Sequence, residues 1–133
     1  MQKELSNGWE HYQLRGDVET VKVSDRSGAI FDARIWEEIV STGKQRVHMG
    51  YRNVLESGIR NFCSGRHSTR IVALRDLAQQ MEAHGYTLHV CGLDPLYYAT
   101  GLSEDSGHGY MRRGGSGRDR PVRLISPIEP ASS

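Results

Sequence analysis

Apolar and polar residues alternate in two early runs of the chain, residues 18–23 and 29–35. Between them lies the segment Ser-Asp-Arg-Ser-Gly at residues 24–28, whose glycine tolerates a positive φ and whose polar side chains favour a turn. Alternation of period two on both sides of such a turn is typical of a β-hairpin. We therefore expect the first secure elements of the chain to be two paired strands.

The second of these runs also carries a helical spacing. Its apolar residues include a set three or four positions apart: Phe31, Ile35, Ile39 and Val40. A helix over residues 30–41 therefore competes with the strand. We expect a strand that passes into a short helix, which ends near Gly43 because glycine is a common residue just after a helix.

The clearest helical pattern follows Ser68 and Thr69, either of which can cap the first turn by accepting backbone N–H groups. The apolar stripe of this helix comprises Ile71, Leu74, Leu77, Ala78 and Met81. Gly85 is expected to end it in the left-handed conformation. Residues 86–93 then form a buried strand, since a helix that turns through one glycine into a strand is a common connection.

Weaker patterns predict the remaining elements. Residues 53–62 have a helical stripe, which Gly58 weakens by about 1 kcal/mol relative to alanine. A short helix starts at Asp94 and Pro95 and stops at a glycine-rich segment, residues 101–117. Strands are expected near the N-terminus around Trp9, Tyr12 and Leu14, over residues 46–50, and at the edge over residues 121–128.

Together these elements predict an α+β fold. A small mixed or antiparallel sheet, made of the N-terminal hairpin and a strand near 86–93, packs against two or three helices. A chain of 133 residues fits one domain over residues 1–133. Within it we expect a flexible Gly/Arg-rich segment at about 101–120 and a frayed C-terminus.

Composition places the chain among cytoplasmic globular proteins. Apolar residues make up 37% and charged residues 25% of it. No apolar run approaches the ~18–20 residues of a membrane span, and the polar first residues do not resemble a secretory signal. Cys63 and Cys91 are too few for a disulfide framework, so we expect both as reduced thiols. A membrane is excluded as a partner.

Charge is sorted by segment, although the net charge is only +1. Residues 1–43 carry five basic and eight acidic side chains, whereas residues 44–75 carry seven basic and one acidic. Residues 76–111 carry five acidic side chains and no lysine or arginine, and residues 112–133 carry five arginines and two acids. Either neighbouring segments neutralise each other in the fold, or the basic ones attract an anionic partner.

The first candidate anion- or partner-binding site lies before the clearest helix. Its residues are Arg60, Arg66, His67, Ser68, Thr69 and Arg70. A helix N-terminus favours anions. Arg70 lies in the first turn, where its positive charge is unfavourable to the helix dipole unless a ligand anion or an acid such as Asp25 or Glu37 compensates it. The spacing from Cys63 to Arg70 is one residue too long for a phosphatase loop, so we reject that activity.

Two further candidates supply binding groups. The tail offers Arg112, Arg113, Arg118 and Arg120 among glycines, which suits a flexible cationic segment that follows a phosphate backbone or simply connects two elements. Tyr97 and Tyr98 suit a protein interface, where tyrosine is enriched, or the core.

No pattern indicates catalysis or a cofactor. The loop at residues 103–110 contains Ser, Asp and His, but adjacent residues rarely form a triad, and the six histidines show no metal-ligand spacing. We therefore predict no catalytic residue, no metal site and no cofactor. An enzyme that uses Cys63 or His108 remains a minor hypothesis.

The sequence favours a non-catalytic macromolecular interaction protein of the bacterial immunity, inhibitor or accessory type. It would dock another protein through charge-segregated surfaces. The alternative is a nucleic-acid or nucleotide-phosphate binding domain that uses the basic 60–70 loop and the 112–120 tail.

Overall fold

The computed structural model describes residues 2–6, 9–42, 48–100, 107–112 and 117–130. Within these ranges the chain forms ten β-strands, one α-helix and a short 3-10 turn. The strands are β1 (Gln2–Ser6), β2 (Trp9–Arg15), β3 (Glu19–Ser24), β4 (Ile30–Thr42), β5 (His48–Glu56), β6 (Phe62–Cys63), β7 (Thr87–His89), β8 (Tyr97–Tyr98), β9 (His108–Met111) and β10 (Arg120–Arg123). The helix is α1 (Arg70–Ala83), and the 3-10 turn is Cys91–Leu93.

Strand β4 is the centre of a seven-stranded antiparallel sheet that curls into a half-barrel. One edge of β4 pairs with β5, whereas the other edge pairs first with β3 and then with β2. The chain therefore leaves a break between β2 and β3 beside the middle of β4. At this break the backbone N–H of Gly16 donates a 2.8 Å hydrogen bond to the carbonyl oxygen of Glu37.

A second, three-stranded antiparallel sheet has the order β10-β9-β8. It is joined to the larger sheet through backbone hydrogen bonds near β7. Just after β7, Cys91 donates to the carbonyl of Ser126 at 2.9 Å, and Gly92 donates to the carbonyl of Leu124 at 2.7 Å. Val90 and Pro127 form an isolated bridge beside them. Gly107, just before β9, lies next to the side chain of Arg70, so the small sheet is close to the N-terminal end of α1.

The core lies between the larger sheet and α1. Alternate residues of the strands point toward the helix and are buried: Val21, Val23, Ala33, Ile35 and Leu55. The helix contributes Leu74, Leu77 and Met81 to this layer, and all three are fully buried. Burying one such side chain contributes roughly 1.5–3 kcal/mol, so this layer accounts for much of the stability.

The sequence predicted the boundaries of α1 correctly. Thr69 lies in an extended conformation, and its hydroxyl accepts the backbone N–H of Val72 at 3.4 Å. Gly85 adopts φ +86° after the helix, while the N–H of Tyr86 bonds to the carbonyl of Met81 at 2.9 Å. These bonds satisfy carbonyls that the last turn leaves without a helical partner.

The predicted hairpin is also present, and the strand after α1 joins its sheet. Strand β3 pairs with β4 across the turn at residues 25–29. Its other edge pairs antiparallel with β7. The strand expected over residues 86–93 is shorter, because residues 91–93 form the 3-10 turn.

The predicted fold class is wrong. An α+β arrangement with two or three helices is replaced by two antiparallel sheets, and the described residues contain the single helix α1. The segments predicted as additional helices are strands or turns in the structure. Their mixed periodicity was resolved by pairing with strands distant in sequence, which local spacing does not report.

The largest single error concerns residues 53–62. Val54 and Leu55 lie on β5 and point to opposite faces of the sheet, and Ile59 is 66% exposed. The chain then turns around Ser57, whose hydroxyl accepts the backbone N–H of Arg60 at 2.9 Å. A turn held by this side chain replaces the predicted helix.

Two shorter helices are also absent. Strand β4 continues to Thr42, so the expected change to helix within residues 30–41 does not occur. The carboxylate of Asp94 accepts the backbone N–H of Leu96 at 2.8 Å and forms a turn rather than a helix cap. The chain then enters β8.

Some predicted features fall outside the described residues. They are the helix end near Gly43, the first residues of the 46–50 strand, residues 101–106 and 113–116 of the Gly/Arg-rich segment, and the last three residues.

Candidate functional site

The structure brings some of the predicted binding residues together. Arg70, Tyr97 and Tyr98 line one cleft of about 180 Å³ beside the start of α1, and Arg75 and Gly107 complete its walls. The guanidinium of Arg112 lies over the ring of Tyr98, 4.9 Å from its centroid. Members of all three candidate groups therefore meet at the small sheet.

Other predicted residues lie apart from this cleft. Arg60 contacts Phe62 and the imidazole of His84, at the C-terminal end of α1. The helix has 14 residues, so its two ends are about 20 Å apart. Arg66 and Ser68 are exposed on the loop before α1, and Arg118 and Arg120 are exposed next to β9. Arg113 lies outside the described residues.

The polar groups of the loop before α1 mainly hold the loop to the helix. The carboxylate of Asp76 accepts the backbone N–H of Gly65 at 2.8 Å and lies 2.8 Å from Nε2 of His67. The bond from His67, followed by those from Gln80 and Gly65, lowers the pKa of Asp76 despite its partial burial. Thr69 serves as the helix cap.

Arg70 forms an ion pair with an acidic residue of the same chain, which was one of the two possibilities that the sequence left open. Its Nη1 lies 3.2 Å from Oε2 of Glu37, and the guanidinium stacks over the ring of Tyr51 at 4.6 Å. The two charged side chains are only 12% and 6% exposed. Burial of both charges carries a desolvation cost that their attraction offsets only in good geometry.

Strand pairing explains why Glu37 points inward. It follows Ala33 and Ile35 at period two on β4, so it belongs to the face that packs against α1. Asn53 lies directly opposite Glu37 on β5 and is 1% exposed. Both polar atoms of its side-chain amide are buried without a hydrogen-bond partner. Such a group is costly and rare in a folded protein.

The Glu37–Arg70 pair forms the floor of a cavity of about 370 Å³ at the β2–β3 break. We name this space the inter-sheet cavity; its charged lining is Arg15, Asp17, Glu37, Arg70, His108 and Arg123. Arg123 is itself paired with Glu19 at 2.9 Å. The lining comes from both sheets and from the first residue of α1.

Gly107 allows the small sheet to approach this floor. Its φ is +76°, which disfavours other residues, and a Cβ there would lie 3.1 Å from both Arg70 Nη1 and Glu37 Oε1. A side chain at this position would therefore push the charged pair and β9 apart.

The small sheet also carries a second cluster, which we name the tyrosine–arginine face: Tyr98, Tyr110, Arg112 and Pro121. The rings of Tyr98 and Tyr110 stack with centroids 5.5 Å apart and planes at 28°. The hydroxyl of Tyr98 donates to the carboxylate of Asp119, and this hydrogen bond raises the pKa of Tyr98. Pro121 lies opposite Tyr110 on β10.

Sequence reasoning missed several members of both clusters. Glu37 was named only as one acid that could answer Arg70, and Asn53, Tyr110 and Arg123 were not selected at all. One available signal was the acidic residue that continues the apolar alternation from Ala33 and Ile35. The pairing of β4 with β5, which sets Asn53 beside it, has no local sequence signal.

The chemistry of the described residues offers little support for catalysis. Cys63 lies at the surface, and partial burial of its sulfur raises the thiol pKa, which disfavours a thiolate nucleophile. Among the described residues, no three His, Cys, Asp or Glu side chains are grouped so as to hold a metal ion. The described helix is too short to cross a bilayer.

Comparisons with known proteins add no family to this description. The chain matches no protein-family model, and no curated protein and no solved structure matches it.

Proposed function

We propose that the protein is a non-catalytic interaction protein that docks an acidic protein surface through the tyrosine–arginine face. The observation that carries this proposal is the stack of Arg112 on Tyr98 and of Tyr98 on Tyr110 at the small sheet. Tyrosine and arginine are the residues that most often dominate binding energy at protein interfaces.

The stack is ordered before any partner arrives. Tyr98 is held on one side by Tyr110 and at its hydroxyl by Asp119. Side chains that are already fixed lose less conformational entropy on binding, so more of their contact energy contributes to affinity. Pro121 adds a rigid apolar surface next to them.

The distribution of ion pairs indicates which charged segment faces a partner. Two of the seven basic residues of 44–75 are paired with acids within the fold, in the pairs Arg52–Glu38 and Arg70–Glu37. Among the described residues around the tyrosine–arginine face, Arg112, Arg118 and Arg120 are exposed, and Asp119 is an acid beside them. This local excess of positive charge suits an acidic partner and would accelerate its association.

The same contacts favour a protein over a nucleic acid. Arg60 contacts His84 at the far end of α1, so it does not extend the basic surface of the small sheet. The ring of Tyr98 is already engaged by Tyr110 and by the guanidinium of Arg112, so it is less open to a stacking base.

The test begins with selection of binding peptides from a randomised display library on the purified protein. Binding of the selected peptides and of single-stranded DNA is then measured by fluorescence anisotropy at low and high salt. We expect acidic peptides to be enriched, to bind more weakly at high salt, and to lose roughly 10-fold in affinity with Arg112→Ala.

Arg60→Ala is the matched control, because it removes the same charge from a surface arginine at the other end of α1. Its affinity for the selected peptides should equal that of the wild type. The proposal is wrong if acidic peptides are not enriched or if the two variants weaken binding equally. Tighter, Arg112-dependent binding of the DNA would replace the protein partner with a nucleic acid.

A further inference from the structure

We propose that the inter-sheet cavity binds a small anionic molecule that carries a carboxylate or phosphate group. None of its lining residues belongs to the tyrosine–arginine face, and the proposal does not depend on the function proposed for that face. Its volume of about 370 Å³ lies within the range of ~300–1,000 Å³ typical of small-molecule sites.

Three of the basic side chains of the cavity come from separate elements that the fold brings together, and a fourth, Arg15, ends β2. Arg70 begins α1, His108 begins β9, and Arg123 ends β10. His108 and Arg123 are direct cross-strand partners, so their side chains leave the same face of the small sheet. Arginine in particular suits carboxylate and phosphate, because its planar guanidinium can donate two parallel hydrogen bonds to either.

Acidic side chains hold two of these cations in place. Glu37 positions the guanidinium of Arg70 from the floor, and Glu19 positions that of Arg123 from the rim. Asp17 and Arg15 complete the charged lining at the end of β2. The mixture of signs rejects most polyanions and suits a small ligand with one anionic group at the arginines.

Asn53 offers the Glu37 carboxylate a second hydrogen-bond donor besides Arg70. The Cβ atoms of residues directly opposite on antiparallel strands are about 4.5–5.5 Å apart, so the Asn53 amide is next to the Glu37 side chain. The Asn53 Nδ2 group is a buried donor with no partner. When a ligand anion takes the Arg70 guanidinium, the Glu37 carboxylate can accept a hydrogen bond from this amide instead.

This role explains a feature that the fold alone does not need. An apolar residue of similar size at position 53 would remove the cost of burying an unpartnered amide. A site that transfers Glu37 from one partner to another needs a donor there. Asn53 is therefore assigned as a positioning residue for Glu37 rather than as a ligand contact.

The experiment measures binding by calorimetry and by thermal shift, with inorganic phosphate, a sugar phosphate and succinate as probes at matched ionic strength in chloride. Saturable binding of at least one probe is expected, and the phosphate and carboxylate arms distinguish the two sources of the anion. Arg123→Gln and His108→Ala should each weaken binding roughly 10- to 100-fold. Arg60→Gln, far from the cavity, should leave it unchanged.

Asn53→Leu separates the proposed role from a structural one. We expect this variant to melt at a higher temperature than the wild type and yet to bind the same probe more weakly. The proposal fails if no probe binds saturably, or if binding is unaffected by Arg123→Gln and His108→Ala. It fails in its Asn53 part if Asn53→Leu binds the probe with wild-type affinity.

Discussion

At the scale of single residues, the ion pairs of this protein differ mainly in burial. Glu37 and Arg70 are almost enclosed, whereas Arg34 and Glu56 form a pair whose side chains are 59% and 41% exposed. Water screens the exposed pair, so it contributes little to the free energy of unfolding. When one partner of the buried pair is lost, the other charge stays in the interior without a counter-charge.

We therefore expect Arg70→Met to destabilise the protein by about 3–5 kcal/mol, because Glu37 then stays buried without a counter-charge. Arg34→Met, the matched control, should change the free energy of unfolding by at most ~1 kcal/mol. Urea denaturation measures both values. Equal losses in the two variants would contradict the difference in burial described above.

The bond between His67 and Asp76 links stability to pH. Since the pKa of Asp76 is lowered in the folded protein, its contribution is fully present above the unfolded value and is lost as pH falls through the folded one. We expect the wild type to lose more stability than Asp76→Asn on acidification below about pH 4. Parallel curves of urea midpoint against pH would show that Asp76 gains nothing from this bond.

At the scale of elements, α1 is the helix against which the larger sheet packs to form the core. Within α1, Leu77 is fully buried on the side that faces the sheet, whereas Val72 lies on the solvent side and is 43% exposed. We expect Leu77→Ala to cost roughly 2–5 kcal/mol in unfolding free energy, since it leaves a cavity between helix and sheet.

Val72→Ala, which also removes apolar atoms from α1, should change the unfolding free energy by about 0.5 kcal/mol or less. The comparison uses urea denaturation of both variants. A large loss with Val72→Ala would mean that this face of the helix is covered rather than exposed.

The elements also show what local sequence could and could not predict. Helix α1 was predicted at both ends because Thr69 and Gly85 are local signals of capping. The hairpin β3–β4 was predicted because its turn residues are adjacent in sequence. The last residues of strand β5 were predicted as helix because Val54, Leu55 and Ile59 fit a helical spacing, whereas in the fold Val54 and Leu55 pair with β4.

The same reason limited prediction of the sites. Arg70, Tyr98 and Arg112 were selected as single residues of a binding type, and the fold does place Tyr98 and Arg112 in contact. The cavity floor depends on Glu37 and Asn53 facing each other across two strands. Its rim depends on contacts such as Arg123 with Glu19, which are 104 positions apart in the chain.

At the scale of the whole molecule, a strand from the second half of the chain completes the sheet that the first half forms. Strand β3 pairs on one side with β4, and on the other with β7, which follows only after α1. A chain that stops at residue 85 would retain β1–β6 and α1 but would leave the second edge of β3 without a partner. An open strand edge readily pairs with another chain.

We expect such a fragment to form dimers or larger assemblies, whereas the full chain shows no association through the edge of β3. Size-exclusion chromatography with light scattering measures the mass of each. Hydrogen exchange at residues 22–24 should report protection in the full chain. A monomeric fragment with native exchange rates would contradict this role for β7.

The late position of β7 has a consequence during synthesis on the ribosome. Because β4 already joins β2, β3 and β5, most of the larger sheet can assemble while the residues after α1 are still inside the exit tunnel. For that interval each nascent chain presents the edge of β3 to its neighbours on the same messenger RNA. The rate at which the segment after α1 emerges therefore sets how long newly made chains are exposed to mutual capture before the sheet is closed.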